Sequence, residues 1–255
     1  METWLFAIAV VGGGMAAALI AQLFVRRTVP LAVLEAHHTV AGHMLALVGA
    51  VFGVLLAFAV VVVWEQYDRD REGAANEANA AADLFRLLHA APAPAGERGM
   101  AAVLAYLRSV ADVEWDRLDR EGPAPEAERA YEALWQAVTS WSPTDDRERN
   151  LHLRALGELN ELSDHRRLRL LHAEHELPDM LWVVLVTGAL VTVGFANFFG
   201  LRYRRSQAAM IVLMAGIIAL VLFTIWVLDH PYRGTTRIRE TDFRRVIELV
   251  ERGGG

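Results

Sequence analysis

The sequence predicts an all-α membrane protein with four transmembrane helices, in a two-plus-two order, and an extramembrane helical bundle inserted between the second and third. Three observations predict it. Apolar runs at residues 3–25, 39–64, 180–201 and 206–228 contain no Asp, Glu, Lys or Arg. At about 1.5 Å of rise per residue, each can cross a hydrocarbon layer of roughly 30 Å. Between the second and third runs lies a polar stretch, residues 65–179, whose apolar residues recur at helical spacing. The charge is segregated to match: that stretch carries 24 Asp and Glu against 14 Arg, while the rest of the chain carries 7 against 11, within a net charge of −6.

The first run could pass for a secretory leader, because Gly12-Gly13-Gly14 and Ala16-Ala17-Ala18 follow a short apolar core. Its amino end has Glu2 and no basic residue, and the apolar stretch continues to Val25, so a retained helix is expected. From Thr39 to His89 there is no proline, so the helix of the second run is expected to continue past the lipid surface. The third is expected to extend likewise. Four spans put both termini and the large domain on one side. Arg26, Arg27, Arg202, Arg204 and Arg205 in the short loops against Arg233, Arg237, Arg239, Arg244, Arg245 and Arg252 in the tail leave the orientation undecided.

Within residues 65–179, Ala91-Pro92-Ala93-Pro94-Ala95-Gly96 forces a turn. Met100, Val103, Leu104, Leu107 and Val110 then form one stripe, closed by Gly122-Pro123. Tyr131, Leu134, Trp135, Val138 and Trp141 form the next. Ser142 before Pro143 predicts the start of a last helix, striped by Leu151, Ala155, Leu159 and Leu162 and broken at Pro178. The domains expected are 1–64, 65–179, 180–228 and a tail, 229–255. In the tail, Asp229-His230-Pro231-Tyr232-Arg233-Gly234 makes a polar corner, with Asp229 pairing to Arg233 or capping the corner. A short amphipathic helix follows, with Phe243, Val246, Ile247 and Val250 on one face. That face docks on the bundle or on a lipid surface.

Composition excludes several classes of function. There is no cysteine, hence no disulfide, thiolate metal site or cysteine nucleophile. There is no lysine, so the fixed positive charges of the side chains are guanidinium groups. The acidic polar stretch repels phosphate, which argues against nucleic acid as a partner. No nucleophile elbow, phosphate-binding loop or dinucleotide fingerprint occurs, so no catalytic residue, cofactor or enzyme activity is expected. His165, His172 and His175, and separately His37, His38 and His43, are loose groups without a recognised metal-ligand spacing, so no metal is expected.

Trp64-Glu65-Gln66-Tyr67 at the end of the second span, Glu77-Ala78 beyond it, and Asp229-His230-Pro231-Tyr232-Arg233-Gly234 after the fourth resemble the bestrophin-like bacterial membrane proteins. The order of parts is similar over essentially the whole chain. The resemblance implies identical subunits ringing a central pore lined by the second helix, with the helical domain and termini in the cytoplasm. The chain departs from bestrophins proper in having only Phe52 and Phe58 as aromatics along the second span before Trp64, and in lacking the acidic calcium clasp expected of animal members after the fourth.

On this plan the expected ion pathway comprises His43, Gly49, Phe52, Gly53, Leu56, Glu65 and Asn197. Gly49 and Gly53 share a face in G-x-x-x-G spacing, which serves either helix packing or a smooth pore wall. His43 is the only ionisable side chain inside a run, and its depth of about one turn fits either a pore role or an interfacial hydrogen bond. Glu65 would become a ring of carboxylates in a symmetric assembly, or would pair with Arg69 four residues on. Asn197 reads as an ion-pathway group or a hydrogen bond between helices. The function expected is a homo-oligomeric channel for inorganic ions in the cell membrane. The alternative is a non-conducting, membrane-anchored sensor or interaction scaffold.

Overall fold

The computed structural model describes residues 2–30, 38–118, 122–174, 177–198, 203–234 and 236–253. Every regular element among them is helical. The chain divides into two compact units, Met1–Gln66 with Leu177–Asp229, and Tyr67–Glu176 with His230–Gly255.

The first unit holds the membrane-crossing segments. Helix α1 spans Glu2–Thr28, α2 spans His38–His89, α6 spans Asp179–Asn197 and α7 spans Arg204–Asp229. Each is long and apolar enough to cross a bilayer. Much of their surface is large and apolar, with Leu5, Ile8, Leu190 and Leu213 all more than 60% exposed. Water would penalise such a surface and lipid accepts it. Arg26 and Arg27 stand in the last turn of α1, where cations meet the negative end of the helix dipole. Helices α1 and α7 approach closely through small residues: a Cβ on Gly14 would lie 3.2 Å from Ala219 Cβ. In lipid, where apolar side chains gain nothing by leaving their solvent, such close approach is what holds helices together.

Helix α2 is continuous for 52 residues and runs through both units, about 78 Å at the usual rise. Its first half packs Phe52, Leu56, Ala59 and Val63 against Leu177, Leu185 and Ile225. The continuation expected for the third span is made by two helices and not one. Helix α5, Asp146–Glu174, ends before Pro178, and α6 begins at Asp179 with Pro178 as its N-cap. Proline has no N–H to donate and constrains the residue before it, so a helix ends there more easily than it continues.

The second unit contains the distal half of α2, then α3 (Ala95–Ser109), α4 (Pro125–Thr139), α5 and the C-terminal α8 (Thr241–Gly253). Ala78, Ala81, Leu84 and Leu88 of α2, Val103 and Leu107 of α3, Leu134 and Val138 of α4, and Leu159 and Leu162 of α5 form one core. Helix α8 joins it through Phe243, Val246 and Val250, so its apolar face docks on protein. Helix α3 continues through a π-helical turn, Val110–Glu114, into a short turn, Trp115–Arg117. Helix α5 starts three residues after the expected Ser142-Pro143 signal. Asp145 Oδ1 accepts from Glu148 N at 2.7 Å, and Glu148 Oε2 accepts from Thr144 N at 2.7 Å. This reciprocal cap satisfies donors that Ser142 is too far away to reach.

Gly188 of α6 lies directly beneath the Phe52 ring, and a Cβ there would come within 2.5 Å of ring carbons. Gly188→Ala is therefore expected to destabilise the detergent-solubilised protein by about 1–3 kcal/mol through overpacking. Gly53→Ala, where an added Cβ meets nothing within 4 Å, should leave the midpoint unchanged in a thermal melt of dispersed subunits.

Candidate functional site

The residues expected to form an ion pathway separate onto different faces. On α2, successive residues are about 100° apart, so Phe52, Leu56, Ala59 and Val63 lie on one side. They are buried within the protomer. Phe52 and Leu56 therefore pack against α6 and α7 and do not share the open side of the helix. That open side, opposite the packed stripe, carries His43, Leu47, Val54, Phe58, Val61 and Glu65, all exposed. Gly53 lies between the two stripes and Gly49 borders the packed one, each with no atom within 4 Å of an added Cβ. His43 Nδ1 sits 2.7 Å from the carbonyl oxygen of Thr39, one turn back. Glu65 lies on the same stripe as His43, 22 residues on, or about 33 Å along the axis.

Asn197 lies elsewhere, at the end of α6, beside a cleft lined by α1 and α7. Its Nδ2 donates to Val193 O at 2.7 Å. At the end of α7, Asp229 Oδ1 accepts from Leu177 N at 2.8 Å and Oδ2 from the Trp182 indole at 3.2 Å. The carboxylate thus ties the last turn of α7 to the start of α6. The corner beyond it turns through Arg233 N to His230 O, Ile238 N to Pro231 O at 2.8 Å, and Gly234 at φ +73°. Only glycine takes such a φ without strain.

A second constellation was not predicted. In the bundle, Arg169 Nε donates to Glu77 Oε2 at 2.6 Å and its NH2 to Glu114 Oε1 at 2.7 Å; all three side chains have zero exposure. Arg166 reaches Glu114 at 2.8 Å and Glu128 at 3.0 Å. The Tyr106 hydroxyl donates to Glu77. The two guanidinium groups also lie over aromatic rings, Arg166 over Tyr106 and Tyr131, Arg169 over Trp115 and Phe243. Asp70, buried, meets His172 Nδ1 at 2.6 Å. The π-helical turn ends at Glu114, so its extra residue sets where that carboxylate enters the core. The signal for this network was present: Arg166 and Arg169 continue the Leu159–Leu162 stripe of α5, and Glu77 interrupts an alanine-rich buried stripe of α2.

Burial alone would push the Glu114 carboxyl up, but Arg169 and Arg166 outweigh it and hold it below its ordinary value of 4.5. For Asp70, burial dominates and raises the carboxyl, against the lowering influence of His172 and Arg69. Burial and the Glu77 carboxylate keep the Tyr106 phenol protonated. Among the described residues no group of three or more His, Asp or Glu could hold a metal ion. His37, His175 and Arg202 lie outside the described residues.

The bestrophin-like domain model matches residues 12–243. The chain belongs to the bestrophin-like family. Among solved structures, a point variant of a bacterial bestrophin homologue from Klebsiella pneumoniae is similar at a TM-score of 0.69 and 13% identity, covering 96% of this chain and 99% of that one. A tyrosine-to-alanine variant of that homologue gives 0.63 and 16%, over 97% and 96%. A further crystal structure of the homologue gives 0.64 and 13%, over 94% and 95%. At these identities the likeness is one of fold. A search of curated protein sequences finds no match. The four membrane helices and helical bundle of this bestrophin-like chain are thus a shared architecture.

Removing one partner of the buried network leaves uncompensated charge. Arg169→Met is expected to cost about 3–5 kcal/mol of bundle stability in a chemical melt followed by circular dichroism. Glu114→Gln should destabilise in a pH-dependent way. Because the folded carboxyl is held below 4.5, its contribution is complete above the unfolded value and lost as pH falls through the folded one. The gap between wild type and Glu114→Gln should accordingly close on acidification below about pH 4.5.

Proposed function

We propose that this bestrophin-like chain is a homo-oligomeric ion channel, with α2 of each subunit facing a common axis. The observation that carries this reading is the division of α2 into a buried, packed stripe and an opposite stripe exposed on the surface of the protomer. The second stripe has the composition a pore wall requires. Leu47, Val54, Phe58 and Val61 supply an apolar stretch able to dewet, and ionisable His43 and Glu65 stand at its ends, about a hydrocarbon thickness apart. Gly49 and Gly53, on the flank, let the helix of the next subunit approach closely. Phe52 and Leu56 act from behind, fixing the wall to α6 and α7. The family plan, in which the second helix lines the pore, supports the same assignment.

Symmetry multiplies Glu65 into a ring, and a ring of carboxylates at a pore mouth concentrates cations. Planar-bilayer recordings of purified protein in asymmetric KCl should show single-channel currents with a reversal potential on the potassium side. Glu65→Gln should move that potential towards zero. Electrical silence at both polarities and across pH, or a monomer or simple dimer by native mass spectrometry, would favour the non-conducting scaffold instead.

A further inference from the structure

In the membrane unit, a cleft of about 290 Å³ opens between α1, α6 and α7. Its walls include Gly14 and Ala21 of α1, Val186 and Gly194 of α6, and Ala215 and Leu222 of α7. It is open on the side of Ala17, Ala21 and Leu190, which are exposed. Along α6 the lining runs from Val186 to Asn197, about 16 Å, close to the depth of one leaflet in a hydrocarbon layer of roughly 30 Å. Between membrane helices, an open apolar groove of this depth faces acyl chains.

The end of the cleft is not apolar. Asn197 lines it and is only 2% exposed. The orientation of its amide follows from the bond of Nδ2 to the Val193 carbonyl, which only the nitrogen can donate. Oδ1 is then left buried and without a hydrogen-bond partner. Gln22, following the cleft residue Ala21, likewise has a buried, unpartnered Oε1. An unsatisfied carbonyl is costly in hydrocarbon, so the Asn197 Oδ1 at the end of the cleft points to an absent donor. One turn beyond Gln22 stands Arg26, whose Nε donates to Gln207 Oε1 at 3.0 Å. Its positive potential favours an anion at this level of the membrane.

We propose that this cleft is a binding site for one phospholipid of the bilayer, with an acyl chain along the groove and an anionic, donor-bearing head group at Asn197. The orphan Asn197 Oδ1 is an acceptor, so the head group must bring a hydroxyl hydrogen. Phosphatidylglycerol does; phosphatidylcholine has no donor and no net charge. Asn197 is thereby a lipid-specificity residue and lies apart from the stripe of α2 assigned to ions.

The test uses the full chain, delipidated and returned to phosphatidylcholine bilayers with or without phosphatidylglycerol, then analysed by native mass spectrometry. Wild type should retain about one lipid per subunit, with phosphatidylglycerol preferred by up to about tenfold, the order of one net hydrogen bond. Gly194→Leu, placed where an added Cβ meets nothing within 4 Å, should fill the cleft and abolish retention. Ala21→Leu, at the exposed mouth, should do the same if the first variant fails to fold. Asn197→Leu should keep a lipid and lose the head-group preference. Wild type that retains no lipid, or retains both lipids equally, overturns the proposal. So do cleft-filled variants that still hold lipid, or lipid that binds only dissociated subunits, which would place a second copy in the cleft.

Discussion

Two guanidinium groups buried among carboxylates organise the bundle. The Arg169 side chain has no exposed surface and joins Glu77 of α2 to Glu114 at the end of the π-helical turn, while Arg166 joins Glu114 to Glu128 of α4. Ionised groups out of water are tolerated only when partners replace the lost hydration. That condition fixes the mutual register of α2, α3, α4 and α5 more sharply than interchangeable leucines could. Apolar contacts supply the bulk of the attraction in this core; the charges specify which arrangement is acceptable. Trp115 and Phe243 close over Arg169, so the C-terminal helix is part of the same arrangement.

The membrane unit is held by a different physics. Its helices are surrounded by a medium as apolar as their own side chains, so the hydrophobic effect does not bring them together. Close contact does, through Gly14 beside Ala219 and Gly188 beneath Phe52. Hydrogen bonds between polar groups add to it where helices end. Asp229 takes the Leu177 amide and the Trp182 indole, and Arg26 meets Gln207. All three bonds sit near helix ends, where backbone groups lose their helical partners.

Several features were legible because their causes are local. A run of uncharged residues long enough for a bilayer, a Pro-Gly-rich turn, and a stripe at helical spacing each report on residues close in sequence. The start of α5 was misplaced by a few residues because two capping signals compete there. Asp145 wins because its carboxylate and that of Glu148 satisfy each other's neighbouring amides. Phe52 and Leu56 could be placed on a helix but not on a side of it. A helix that is apolar all round carries no moment to say which face turns inward.

By itself, then, the amino-acid order determined that the chain is helical, how many times it can cross a bilayer, and which family it belongs to. These properties depend on length, charge and periodicity within single segments. Tertiary structure decided which flank of α2 is covered, that α8 docks on protein, and that Arg166 and Arg169 are interior. Glu77 and Arg169 are 92 residues apart, and a lone arginine in a stripe of leucines becomes a core residue only when a distant helix brings its counter-charge. Pairing of that kind is a property of the packed helices, so no segment read alone contains it.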